Sequence, residues 1–171
     1  MQEKYNFGKV SSQHKNYSKI ETMLRPKGFD KLDHYFRTEL DIDLTDETIE
    51  LLLNSVKAAF GKLFYGAEQR ARWNGRDFIA LADLNITKAL EEHIKNFQKI
   101  EQDMGVDELL EYIAFIPPVE MNVGEDLKSE YRNIMGGLLL MHADVIKKAT
   151  GERKPSREAM EFVAQIVDKV F

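Results

Sequence analysis

Apolar residues recur along this chain at three- and four-residue intervals, and no stretch alternates polar and apolar as a half-buried strand would. Ser18 and Glu21 fit a capping box, predicting a short helix to Arg25 that Pro26 stops. Phe29, Leu32, Tyr35, Phe36 and Leu40 then share one face of a helix over 29–40. "DIDL" breaks it. Thr45 is placed to cap a long helix whose first turn carries Asp46 and Glu47, the sign that a helix N-terminus favours. Its stripe is Ile49, Leu52, Leu53, Val56, Ala59, Phe60, Leu63, Phe64 and Ala67. "WNGRDF" ends that helix, and a third carries Leu81, Leu84, Ala89 or Leu90, Ile94, Phe97 and Ile100.

The same order recurs about 77 residues later. "VDELLEYIAFI" (106–116) predicts a short helix, and "PPVEMNVG" a loop that its prolines and glycine keep out of helix. A second long helix is predicted from Glu125 to Thr150, with Leu127, Tyr131, Ile134, Leu138, Met141, Val145 and Ala149 on its stripe. Gly151 ends it as a C-terminal glycine cap, and Ser156 caps "REAMEFVAQIVDKVF". Neither half has the bulk to bury its long helix alone, so each long helix needs the other half. Interior glycines cost roughly 1 kcal/mol each against alanine. Gly61, Gly66 and Gly136-Gly137 are therefore expected where backbones approach closely, at a crossing of the two long helices.

Charge divides the chain unevenly. Residues 1–28 hold six Lys/Arg against two Glu, whereas 29–103 hold ten basic and fifteen acidic residues and 104–171 hold eight and twelve. A basic N-terminal arm is thus attached to an acidic body, and only the arm has a net charge suited to a polyanion. The absence of cysteine excludes disulfides, thiolate metal sites and thiol nucleophiles. No apolar run reaches membrane-spanning length and the N-terminus lacks a signal peptide's apolar middle, so a cytoplasmic location is expected.

Catalytic and metal patterns fail one by one. Di-iron bundles need Glu three positions before His, but Ser11, Lys31, Leu90 and Leu139 precede the four histidines at that spacing. No HExxH is present, and the scattered histidines are expected at surface or boundary positions. Gly61 and Gly66 have P-loop spacing, but Ala67-Glu68 follow where Lys and Ser/Thr are required. No hydroxyl has His and acid partners at a recognisable spacing. The expectation is a non-enzymatic protein with no catalytic, cofactor-binding or metal residues.

With Gly75, Arg76, Asp77, Phe78, Ile79, Asp83 and Leu84, the stretch between long and third helix resembles the archaeal-histone motif Gly-Arg-Lys-Thr-Ile-x-x-x-Asp-Ile. Together with the duplication, the chain resembles a tandem histone fold, specifically the prokaryotic family catalogued as domain of unknown function 1931. The resemblance implies an all-α, single-chain pseudodimer: arm 1–28, first unit 29–103 and second unit 104–171, clasped across the long helices. It also implies that Arg76 and Asp83 form an internal salt bridge. In the second unit, Lys154, Ser156 and Glu161 stand at the Arg, Thr and Asp positions; the register with Arg153 and Met160 fits less well.

Histone pairs hold double-stranded DNA by phosphate contacts from paired loops. By that resemblance the DNA-contact candidates are Arg70, Arg72, Lys147, Lys148, Arg153, Lys154 and Arg157, with the arm. Each first loop should lie beside the other unit's second loop. That sets acidic "LDIDLTDE" against basic "GERKPSR", and "PPVEMNVGED" against "RARWNGR". The leading expectation is weak, sequence-nonspecific, architectural DNA binding at the nucleoid. The alternative is a protein-assembly module that self-associates or engages another protein.

Overall fold

The computed structural model describes residues 28–104 and 119–171. The arm (1–28, of which only Gly28 is described), its short helix and the helix expected over 106–116 lie outside the described residues. Helix α1 spans Phe29–Glu39 and α2 spans Asp46–Trp73. Strand β1 (Phe78–Ile79) and a 3-10 turn (Leu81–Asp83) lead to α3, Lys88–Met104. From residue 119 onward come β2 (Asn122–Val123), a single turn α4 (Glu125–Lys128), α5 (Tyr131–Thr150) and α6 (Arg157–Asp168). The described chain is mostly helical.

Local chemistry sets the element ends. Thr45 and Thr48 form a reciprocal capping box at the start of α2: Thr45 N–H donates to Thr48 Oγ1 at 2.8 Å and Thr48 N–H to Thr45 Oγ1 at 3.3 Å. Ser156 Oγ caps α6 by accepting from Ala159 N–H at 3.2 Å. Gly151 at φ 63° closes α5, its N–H bonded to the Lys147 carbonyl at 3.0 Å. Asp41 turns the chain between α1 and the extended segment before α2, at φ 52°, which Asp tolerates better than most residues.

Three boundaries depart from the periodicity. Leu81 and Leu84 precede α3: the Asp83 carboxylate captures Ala80 N–H at 2.9 Å, winding a 3-10 turn, and Leu84 is extended. The helix starts only after Thr87, whose Oγ1 accepts from Leu90 N–H at 3.2 Å. The second long helix is interrupted at Ser129-Glu130. There Ser129 Oγ donates to the Asp126 carbonyl at 2.8 Å, and Glu130 N–H reaches back only to Leu127 at 3.0 Å, a tighter turn. Lastly, β1 and β2 pair in parallel, Phe78 with Asn122 and Ile79 with Val123. Two residues are too few for alternation to reveal.

The packing is reciprocal. Helix α3 lies along α5, α6 lies along α2, and the two long helices contact each other. Every residue of the first stripe is buried, as are Leu127, Ile134, Leu138 and Met141 of the second; Ala149 of that stripe is exposed. Tyr131 meets Phe60 and Phe64 edge-on, at centroid distances of 5.6 and 5.2 Å, fastening the start of α5 to the middle of α2. Gly136 and Gly137 serve α3 rather than a crossing of the long helices. A Cβ on Gly136 would fall on the Phe97 ring, and one on Gly137 would stand 3.0 Å from the Ile94 backbone nitrogen.

Candidate nucleic-acid interface

The first loop pair joins the region after α2 to the region before α5. Asp83, 1% exposed, is its centre. One carboxylate oxygen takes Arg76 Nη2 and the other takes Ala80 N–H, while Arg70 Nη1 donates to the Asp83 carbonyl at 2.9 Å. Arg76 and Asp83 therefore fix this loop to its own turn. Across the pair, Gly124 N–H donates to the Ile79 carbonyl at 2.8 Å, and Leu81 N–H to Asp126 Oδ2 at 2.9 Å. Arg72 binds Glu68 at 2.7 Å and Glu120 at 3.3 Å. The hydrogen bond that Arg72 donates to Glu68, above all, raises the Arg72 pKa further.

The second loop pair sets the segment between α1 and α2 beside the segment between α5 and α6. One backbone bond joins them, Asp43 N–H to the Arg153 carbonyl at 2.7 Å. The rest is ionic. Lys147 and Arg153 both reach Asp41, at 3.4 and 3.3 Å. Lys154 reaches Asp43 at 3.5 Å, and Arg157 bonds Glu161 at 2.8 Å and Glu47 at 2.9 Å. Lys148 pairs with Asp144 at 2.8 Å on its own helix. Hydrogen bonds that Arg157 donates to Glu161 and then to Glu47 raise its pKa.

All seven DNA-contact candidates thus gather at the two loop pairs, and each meets an oxygen of the protein itself. At the second pair, the five candidate cations (Lys147, Lys148, Arg153, Lys154, Arg157) share five carboxylates (Asp41, Asp43, Glu47, Asp144, Glu161), and Arg37 also takes Asp43, at 3.1 Å. At the first, three arginines face Asp83, Glu68 and Glu120. The seven-residue bracket does not recur: Lys154 turns across to Asp43, and Glu161 takes Arg157 one helical turn away.

One polar pair escaped the sequence reading. His142, expected at the surface or a boundary, is 1% exposed in α5. The ring bonds the Leu138 carbonyl through Nδ1 at 2.7 Å, and Nε2 lies 3.0 Å from Ser55 Oγ on α2. The carbonyl can only accept, so Nδ1 carries the proton and Ser55 donates to Nε2. Desolvation lowers the His142 pKa to about 4. A nucleophile and a base are therefore adjacent, but the base is too weak to take the serine proton at neutral pH. A backbone carbonyl stands where a charged orienter would be. Ser55 also lines a cleft of about 350 Å³ with Ala58, Ala59, Ala164 and Val167. The signal was there: His142 lies between Met141 and Ala143 in a stretch, residues 134–143, that is buried on all sides.

No helix among the described residues is long and apolar enough to cross a membrane. An uncharacterised protein of Aquifex aeolicus (strain VF5) is 26% identical over 148 residues, covering 80% of this chain and 87% of the relative. A crystal structure from Thermus thermophilus superposes with a TM-score of 0.73 at 24% identity, over 85% of this chain and 99% of that one, a likeness of fold. The family profile described as Domain of unknown function (DUF1931) matches residues 32–168, and the chain belongs to that family.

Proposed function

We propose that the chain is a histone-fold pseudodimer that serves protein assembly rather than DNA compaction. Reciprocal packing of α3 on α5 and of α6 on α2, with each loop beside a loop of the other half, supports the two-unit reading with its boundary near residue 103. The observation that carries the functional reading is the charge match at both loop pairs. Phosphate binding gains its free energy by releasing counterions from the nucleic acid, which requires cations in excess. Here each cluster is already matched by the protein's own acids, so phosphate must displace a carboxylate, or at Arg70 a backbone carbonyl, for every contact it gains.

A second reading, weak nonspecific duplex binding, is favoured by the gathering of seven cations at two places and by the excess of positive charge in residues 1–28. A mobility-shift titration of the full chain with random duplex DNA separates the two. Assembly without DNA binding gives no retardation at physiological salt. Retardation there that Lys147→Ala/Arg153→Ala/Lys154→Ala abolishes overturns the assembly reading in favour of phosphate binding at the second loop pair.

A further inference from the structure

Helix α6 buries Met160, Val163 and Val167 against α2 and α5. A second apolar row runs along it and into the turn that follows. Phe162 is 54% exposed and Val170 44% exposed, with half-buried Ile166 between them at four-residue spacing. A phenylalanine turned outward on a helix whose inner face is already filled gains nothing from this chain's own core. Charges bracket the row with opposite sign at its two ends: Glu158 in the first turn and Lys169 just past the last.

That arrangement is complementary to itself when reversed. If two copies of α6 lie antiparallel about a two-fold axis near Ala164, Phe162 meets Ile166 of the second copy and Glu158 lies beside its Lys169. Both contacts occur twice, as an isologous interface requires. A parallel arrangement instead sets Glu158 against Glu158 and Lys169 against Lys169. Each charge also suits its own helix end, where the dipole favours acid at the start and base at the finish. The self-complementary order is thus consistent with a stable monomeric helix and needs no change of fold to be used.

We infer that the Phe162–Ile166–Val170 face of α6 is a homodimer interface, occupied by the same face of a second copy of this chain. It deepens the assembly reading and rests on it by naming the partner. One helix pair forms an interface at the small end of the specific range, so the dimer is weak and concentration-dependent, with a Kd on the order of micromolar.

Sedimentation equilibrium of the full chain from about 1 to 300 µM tests this, spanning a micromolar Kd. The expected result is a monomer–dimer equilibrium that Phe162→Glu weakens by about a hundredfold or more, a hot-spot-sized loss. Charge reversal gives the sharper arm. Glu158→Lys and Lys169→Glu each weaken association by about fivefold, and the double variant regains most of the loss. Circular dichroism melts of each variant verify folding. Because the chain has no cysteine, Gln165→Cys next to the axis supplies a unique thiol, and mild oxidation should link it to its counterpart. A monomer throughout the range overturns the proposal and leaves the row to a different protein. Dimers that survive Phe162→Glu, or a double reversal no better than either single one, overturn it equally. DNA retardation at physiological salt that Lys147→Ala/Arg153→Ala/Lys154→Ala abolishes would sink the assembly reading instead, so the two failures are distinguishable.

Discussion

The proposed two-unit reading sets Asp83 and Glu161 at matching positions, and the chain uses them oppositely. The Asp83 side chain is 1% exposed and holds Arg76 and Ala80 N–H; that of Glu161 is 49% exposed and holds Arg157 alone. Around Asp83 the loops are joined by a short parallel ladder and two further bonds from backbone N–H groups. At the other end, one backbone bond is accompanied by a set of exposed ion pairs. Buried charge with satisfied donors fixes geometry, whereas exposed charge sets a field that salt can screen. One end therefore holds the fold, and the other governs what the surface attracts.

Removing the two acids exposes that contrast most directly. Asp83→Ala leaves Ala80 N–H and the half-buried Arg76 without their partner and should cost about 3 kcal/mol, the low end for a broken buried pair because water still reaches Arg76. Glu161→Ala should cost about 0.5 kcal/mol or less, since Arg157 keeps Glu47. Urea titration of both variants checks the difference. Equal losses would erase the distinction between the ends.

Acid separates the centre from both ends. His142 is held neutral by burial, its pKa about 4 in the fold against 6.5 for a freely solvated imidazole. Between those values the unfolded chain binds the extra proton, so stability rises with pH. The contribution is complete above about pH 6.5 and falls away as pH drops toward 4, by roughly 3 kcal/mol in all. Replacing His142 with Gln should flatten that segment of the stability–pH curve while retaining a partner for Ser55. If the slope persists in His142→Gln, the acid sensitivity does not come from the buried imidazole and the comparison must be redrawn.

What could be read in advance follows the range of the interactions. The first stripe was legible because all its residues, from Ile49 to Ala67, face one core at helical spacing. The Arg76–Asp83 bracket was legible because it closes within seven residues and matches a known motif. Distances across the chain were less so: Ser55 and His142 are 87 positions apart, and nothing near either one announces the other. Gly136-Gly137 declared a close approach but not its partner, since a missing side chain records space without saying which element fills it. The break at Ser129-Glu130 depends on one hydroxyl competing for a carbonyl, below what apolar spacing can register. For the candidate interface, the pairing of acidic with basic loops followed from the resemblance, while the way the charges are shared, Lys147 and Arg153 on Asp41 and Arg157 between Glu47 and Glu161, required coordinates.

A modest change in stability should accompany the largest change in surface behaviour. Asp41→Asn, Asp43→Asn and Glu47→Gln together remove three of the five carboxylates at the second loop pair and keep the side-chain sizes; Asn also tolerates the left-handed backbone at residue 41. Exposed pairs contribute about 0–1 kcal/mol each, so the triple variant should lose at most a few kcal/mol and remain folded. Its loop cluster then carries an excess of three cations. If the acids are what keep phosphate away, duplex DNA should now be retained at low salt, with an affinity that falls with salt at a slope equivalent to about three phosphate contacts. The corresponding change at the first end, Glu120→Gln, leaves Glu68 and Asp83 in place and should add little retention. A triple variant that binds no better than the parent chain would show that the acidic loop is not an internal competitor, and the two ends would then differ in stability alone.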